Sequence, residues 1–245
     1  MGSCLVILPS FNSGTHLPRT MQAARQFCNP VWAVVDGSTD GSAEMARSLG
    51  GDGYRVISLE KNSGKGGAVY AAFREAADAG FSHAIVMDAD GQHAAEAIPR
   101  FLRLCEENPG HLIAGVPVFG PDAPTERVKG RRVGNFFACL ETFWLGARDS
   151  LFGFRLYPLK PALAVLGSTT SGRRFDFDTV LAVRLLWAGV PVINVPVPVR
   201  YPPQAEGGVT HFRYVRDNLL LAGVHARLCL EMLPRIPRLL SLRCH

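Results

Sequence analysis

Apolar residues in the first half of the chain fall into short continuous runs. Each run is followed by a polar, often glycine-containing loop and then by a stretch with helical spacing. The runs cover residues 5–8, 31–35, 54–59, 83–87 and 112–114, and helical patterns occupy 15–27, the stretch ending at Leu49, 66–79 and 94–106. A strand that is apolar at every position is buried on both faces, and regular strand–helix alternation supplies the crossovers that parallel pairing needs. Residues 1–115 are therefore predicted to form a Rossmann-like half, an α/β layer with a mostly parallel sheet and helices on both sides.

The pattern then changes. Residues 117–124 are rich in Pro and Gly, 128–145 read as a helix with several aromatics, 152–157 as a short strand, and 175–187 as a helix. Residues 190–199 carry Pro191, Pro196 and Pro198, which confines them to a sheet edge or an extended segment. This half is expected to complete the sheet, giving one domain over 1–210 with halves 1–115 and 116–210. A helical tail follows over 211–245.

Composition narrows the class. The 245 residues are 47% hydrophobic and 19% charged, a globular balance, and the formal charge of +5, with much of the excess at the C-terminus, lacks the clustering of a nucleic-acid module. Six cysteines lack CxxC or metal-site spacing and read as reduced thiols. The N-terminus has no secretory signature, and no apolar stretch reaches the roughly 18 residues of a spanning helix. The expectation is a cytoplasmic protein, soluble or peripheral at the inner face of the cytoplasmic membrane.

Candidate chemistry gathers in the loops. Asp88-Ala89-Asp90-Gly91-Gln92 closes the fourth apolar run. Two carboxylates at i and i+2 with an amide oxygen at i+4 suit Mg²⁺ or Mn²⁺ held partly by substrate phosphates, and a strand's carboxyl end is where open α/β sheets bind ligands. An acidic turn before a helix is the plainer alternative. The loop Pro9-Ser10-Phe11-Asn12-Ser13-Gly14 permits close backbone approach, and Asp36, ending the second run, is placed to accept from a nucleobase or ribose. Asn62-Ser63-Gly64-Lys65-Gly66-Gly67 carries one lysine beside flexible backbone but is no Walker A loop. Gly153-Phe154-Arg155 offers a guanidinium for bidentate phosphate contact, or for pairing with a carboxylate such as Asp149. In Phe175-Asp176-Phe177-Asp178, a carboxylate is available as general base or as helix N-cap; Asp178 is the candidate base.

Taken in order, Pro9-Ser-Phe-Asn12, Val35-Asp36-Gly-Ser-Thr-Asp40, Asn62-Ser-Gly-Lys65-Gly and Asp88-Ala-Asp90-Gly-Gln92-His93 resemble family 2 glycosyltransferases of the GT-A fold. Within that family the set is similar to the polyprenyl-phosphate mannose and glucose synthases, over about 200 residues. The resemblance implies that Pro9, Asn12, Asp36, Lys65 and Asp88 meet the nucleotide. It also implies that Asp88, Asp90 and Gln92 hold Mg²⁺ or Mn²⁺ on the sugar diphosphate, that Asp178 and Arg155 serve catalysis, and that 116–210 is the acceptor half. Two departures stand out. Val35 replaces the first of two successive aspartates common in the family, and Ser13 replaces an acidic residue, which leaves the base open between UDP and GDP.

The tail from His211 onward alternates polar and apolar positions in an amphipathic pattern and ends in a basic, Pro-broken segment with Arg235, Arg238 and Arg243. Docking on the domain, pairing in a dimer and contact with anionic lipid are all open to it. With residues 201–212 it resembles family 2 transferases of bacterial aryl-polyene lipid pathways, a likeness that implies a lipid-linked or polyketide-like acceptor. As in some GT-A enzymes, His211 would be a further metal ligand. The expected activity is inverting, metal-dependent sugar transfer from a UDP- or GDP-sugar to a polyprenyl-phosphate, lipid-linked or polyketide-like acceptor, with no nucleic-acid partner. A nucleotidyltransferase and a non-catalytic nucleotide-sugar-binding protein are the rivals.

Overall fold

The computed structural model describes residues 3–120, 125–146, 148–199 and 214–243. Seven strands form one sheet in the order β3-β2-β1-β4-β6-β5-β7. In chain order they are β1 (Cys4–Ser10), β2 (Val31–Asp36), β3 (Tyr54–Leu59), β4 (His83–Val86), β5 (Leu112–Val118), β6 (Arg155–Pro158) and β7 (Val192–Pro198). All neighbours pair in parallel except β6, which runs antiparallel between β4 and β5. Helices α1 (His16–Arg25), α2 (Ser42–Arg47), α3 (Lys65–Asp78) and α4 (Ile98–Glu107) fill the crossovers of the first half. α5 (Thr125–Glu141), α6 (Leu159–Gly167) and α7 (Phe177–Trp187) belong to the second, and α8 (Tyr214–Met232) and α9 (Ile236–Arg243) form the tail.

The continuous apolar runs have the cause expected of them. Side chains alternate across a strand, and here both faces are covered. Val6 and Leu8 of β1 pack with Leu17 and Met21 of α1 and Phe101 of α4, whereas Leu5 and Ile7 pack with Val69 and Phe73 of α3 and Leu181 of α7. Burying each such side chain stabilises the fold by about 1.5–3 kcal/mol. β7 pairs only with β5 and so forms a sheet edge, where its prolines cost no ladder bonds.

Two features differ from the sequence reading. The strand expected over 152–157 spans only Arg155–Pro158, and residues 152–154 form a loop leading into the site. Helix α6 follows Pro158 without an intervening loop, so its apolar run carried no separating signal. The described tail helix carries apolar side chains both toward the domain and toward solvent. Leu221, Leu228 and Met232 are buried, while Leu219 and Leu230 are each 69% exposed. Leu228, Met232 and Leu239 pack with Ala138 of α5 and Val180, Val183 and Trp187 of α7, so the described tail docks on the domain. Two of the tail arginines serve that docking. Arg235 lies over the Trp187 ring at 4.9 Å and donates to the Glu231 carbonyl, and Arg238 donates to the Ala188 carbonyl at 3.2 Å.

Candidate active site

Strand order reverses at β1, whose neighbours lead to β2 on one side and β4 on the other. Loops leaving the carboxyl ends of these strands face one crevice, the usual ligand position of such sheets. The two first loops are tied together. Asn12 Oδ1 accepts from the Thr39 N–H at 3.0 Å, the Asn12 N–H donates to Ser38 Oγ at 3.0 Å, and the Gly14 N–H donates to Asp40 Oδ2 at 2.7 Å. Pro9 is buried in β1 opposite Val34. Asn12 thus shapes these two loops from within.

Asp36 behaves similarly. It is buried at the end of β2, and Oδ1 accepts from the Ser63 N–H and hydroxyl, both at 2.8 Å, while Oδ2 accepts from the Gly64 N–H at 2.7 Å. These bonds commit both carboxylate oxygens to positioning the loop that carries Lys65. Gly64 has φ +83°, and a β-carbon there would lie 2.8 Å from the Arg173 carbonyl, so only glycine fits this turn. That carbonyl and the next accept from the first turn of α3: the Gly67 N–H donates to Arg173 O at 2.7 Å and the Gly66 N–H to Arg174 O at 3.3 Å.

So braced, Lys65 lies between two carboxylates. Its Nζ is 2.6 Å from Asp88 Oδ1 and 2.6 Å from Asp178 Oδ2. Burial opposes the ammonium charge, but the attraction of Asp178 and then of Asp88 outweighs it and raises the Lys65 pKa. Burial likewise works against the Asp88 carboxylate, yet Lys65, with His93 and Arg131, holds it down at about 2. Asp90 moves the other way, raised by burial and by the neighbouring charge of Asp88. Its Oδ1 accepts from the Gln92 N–H at 2.9 Å, which folds the acidic turn on itself. Two mutually repelling carboxylates offering hard oxygens fit a divalent cation that also takes phosphate oxygens. Among the described residues no group of three or more His, Cys, Asp or Glu side chains is arranged to hold a metal, and His211 lies outside them.

Asp178 is buried at the start of α7, with Oδ2 on Lys65 and Oδ1 without a hydrogen-bond partner. Asp176, the alternative, is spent on its own turn, accepting from the Gly172 and Arg174 N–H groups. Arg155 departs from the expected phosphate contact. It is fully buried, and its guanidinium donates to the main-chain carbonyls of Asp178 and, at 2.9 Å, Asp149. It holds the segment bearing Asp178 from below. Nor does it pair with the Asp149 carboxylate, which instead accepts from Arg131 Nη1 at 2.8 Å and from the Leu151 and Phe152 N–H groups.

A cleft opens beside Asp88, walled by Gln92 and His93 from the first half and by Arg131, Phe152 and Gly153 from the second. The sequence reading missed Arg131. A β-carbon at Gly153 would lie 2.5 Å from Lys65 Nζ and 2.7 Å from Asp88 Oδ2, so the ion pair fills the space a side chain would take. Glycine between Phe152 and Phe154 was the visible signal. Nothing in the local pattern distinguished Arg131 from Arg132.

The profile of glycosyl transferase family 2 matches residues 5–177, and the chain belongs to that family. It is 27% identical over 201 residues to polyprenol monophosphomannose synthase of Mycolicibacterium smegmatis, covering 79% of this chain and 76% of that protein. To undecaprenyl-phosphate mannosyltransferase of Micrococcus luteus it is 25% identical over 209 residues, 79% of this chain and 82% of the relative. Among solved structures, glucosyl-3-phosphoglycerate synthase of Mycobacterium tuberculosis superposes with a TM-score of 0.65 at 15% identity, over 94% of this chain and 80% of that one. That enzyme has also been crystallised with Mn²⁺, UDP-glucose and glycerol 3-phosphate. The fold is thus the GT-A arrangement, and the chain is a glycosyltransferase with relatives that act on polyprenyl phosphates.

Proposed function

We propose that this glycosyltransferase moves a sugar, with inversion, from a nucleoside-diphosphate sugar to a lipid-linked or otherwise hydrophobic acceptor. The observation that carries the reading is Lys65, in contact with Asp88 at 2.6 Å and Asp178 at 2.6 Å, which joins a donor-side carboxylate to an acceptor-side one. Asp88, Asp90 and Gln92 would hold Mg²⁺ or Mn²⁺, which when bound neutralises the leaving diphosphate. The Asn12 and Asp36 network keeps the nucleotide-side loops in register.

On the acceptor side the unpartnered Oδ1 of Asp178 is the atom that takes the proton of an acceptor hydroxyl. The acceptor oxygen bonds to the anomeric carbon as the bond to the diphosphate breaks. A phosphate acceptor brings no proton to remove. It would use a cation at the cleft wall, and Arg131 rather than Arg155 has that position. The exposed leucines of α8 suit a peripheral membrane contact; no helix among the described residues is long and apolar enough to cross a membrane.

Calorimetry with UDP- and GDP-sugars, with and without Mn²⁺, tests the donor half of the proposal. Metal-dependent binding of one of them is expected, weakened at least tenfold in Asp90→Ala. Absence of binding for both nucleotides would overturn it.

A further inference from the structure

His93 follows the acidic turn, and the proposed transfer gives it no role. Its ring is buried, 4% exposed at the side chain. The Asp88 main-chain N–H donates to His93 Nδ1 at 3.0 Å. A ring nitrogen that accepts carries no proton, so the neutral ring has its proton on Nε2. That nitrogen stands 3.6 Å from Asp88 Oδ2, beyond hydrogen-bond distance, so the neutral ring faces the carboxylate without a direct bond. One imidazole therefore holds Asp88 by its backbone and lies against its side chain.

The ring is itself held by the other half of the molecule. Phe152 meets it edge-on at 4.6 Å between centroids, and Phe154 stacks on it at 5.6 Å. Phe101 of α4 stacks in turn on Phe154 at 4.6 Å, and the His93 backbone bridges to Val199 beyond β7. Between the two phenylalanines lies Gly153, whose bare face abuts the Lys65–Asp88 pair. Segment 152–154 thus contacts Asp88 directly and through His93.

We infer that His93 is the positioning residue of the acidic turn: it fixes the rotamer of Asp88 and couples it to the 152–154 segment, so that the carboxylate meets a metal–nucleotide diphosphate already in place. The inference rests on the donor reading above. Partners one shell out from a metal ligand typically cost tenfold to a hundredfold in affinity when removed. Asparagine carries its amide oxygen near the position of Nδ1 and can keep the bond to the Asp88 N–H, whereas alanine cannot.

The test is titration of Mn²⁺–UDP and Mn²⁺–GDP into wild type, His93→Ala, His93→Asn and Phe101→Leu, with thermal melting in parallel. Phe101→Leu loosens the same aromatic stack without touching Asp88. Expected are a loss of about tenfold to a hundredfold in His93→Ala, substantial recovery in His93→Asn, and near wild-type affinity in Phe101→Leu. Undiminished affinity in a folded His93→Ala, or an equal loss in Phe101→Leu at similar melting temperature, overturns the positioning role alone. A wild-type protein that binds neither complex overturns the donor reading and this role together. If His93→Ala fails to fold, His93→Asn decides: affinity as poor as that of Asp90→Ala overturns the role.

Discussion

Lys65 sets the electrostatics of the site, because one ammonium serves two carboxylates that would otherwise repel a sugar diphosphate. The Asp88 pKa, held near 2 against an ordinary 3.8, gives this a pH signature. A depressed carboxylate contributes stability that is complete above its unfolded value and is lost as pH falls through the folded one. Wild type should therefore lose melting temperature between about pH 3.8 and about pH 2, and Lys65→Met should show a shallower fall there, measured by calorimetric melts across that range. A second prediction concerns Asp178→Asn. If Asp178 is the base, transfer to a hydroxyl acceptor falls by about 10²–10⁴ while donor binding persists. Near wild-type transfer would place the base elsewhere or point to a phosphate acceptor. Gly153→Ala is the third. Its methyl would displace Lys65 Nζ or Asp88 Oδ2, so nucleotide affinity should fall by more than tenfold with a modest change in melting temperature, read by calorimetry and thermal scans.

Among the elements, the tail helices decide how the second half is held. Leu239 of α9 is fully buried against α7 and α8, and Arg184 of α7 donates to Glu231 of α8 at 2.5 Å. Leu239→Ala should destabilise the fold by about 2–5 kcal/mol, measured by urea denaturation. An unchanged midpoint would show that α9 does not dock in solution. The α6–α7 connection matters for another reason, since its Arg173 and Arg174 carbonyls brace the first turn of α3 and hence Lys65. Helix α3 was evident from its pattern, but its partner across the site was not, because the two lie more than a hundred residues apart in the chain.

At the scale of the molecule, one sheet joins the first half of the chain to the second, and the cleft beside Asp88 lies where they meet. With Arg235 and Arg238 engaged in docking, anionic lipid would meet the outward leucines of α8 in place of those arginines. Leu219→Glu with Leu230→Glu should reduce co-sedimentation with anionic vesicles, and truncation after Pro234 should lower thermal stability more than vesicle binding. Equal sedimentation of wild type and the double variant would remove the membrane contact.

The two-sided apolar runs and their loops were enough to establish a parallel α/β sheet, because burial on both faces leaves no other pattern for such strands. Asp88, Lys65 and Asp178 stood out as candidates, a lone lysine beside glycines and carboxylates at element ends, with their expected roles supplied by the family resemblance. Only the tertiary structure decided what each side chain touches. It shows Asp36 accepting three bonds from the loop that carries Lys65, and Arg155 donating to two buried carbonyls. Arg131 and His93 gained their positions from strands and helices that converge across long separations. Local sequence records which groups a chain carries; which of them face the cleft depends on contacts between distant segments.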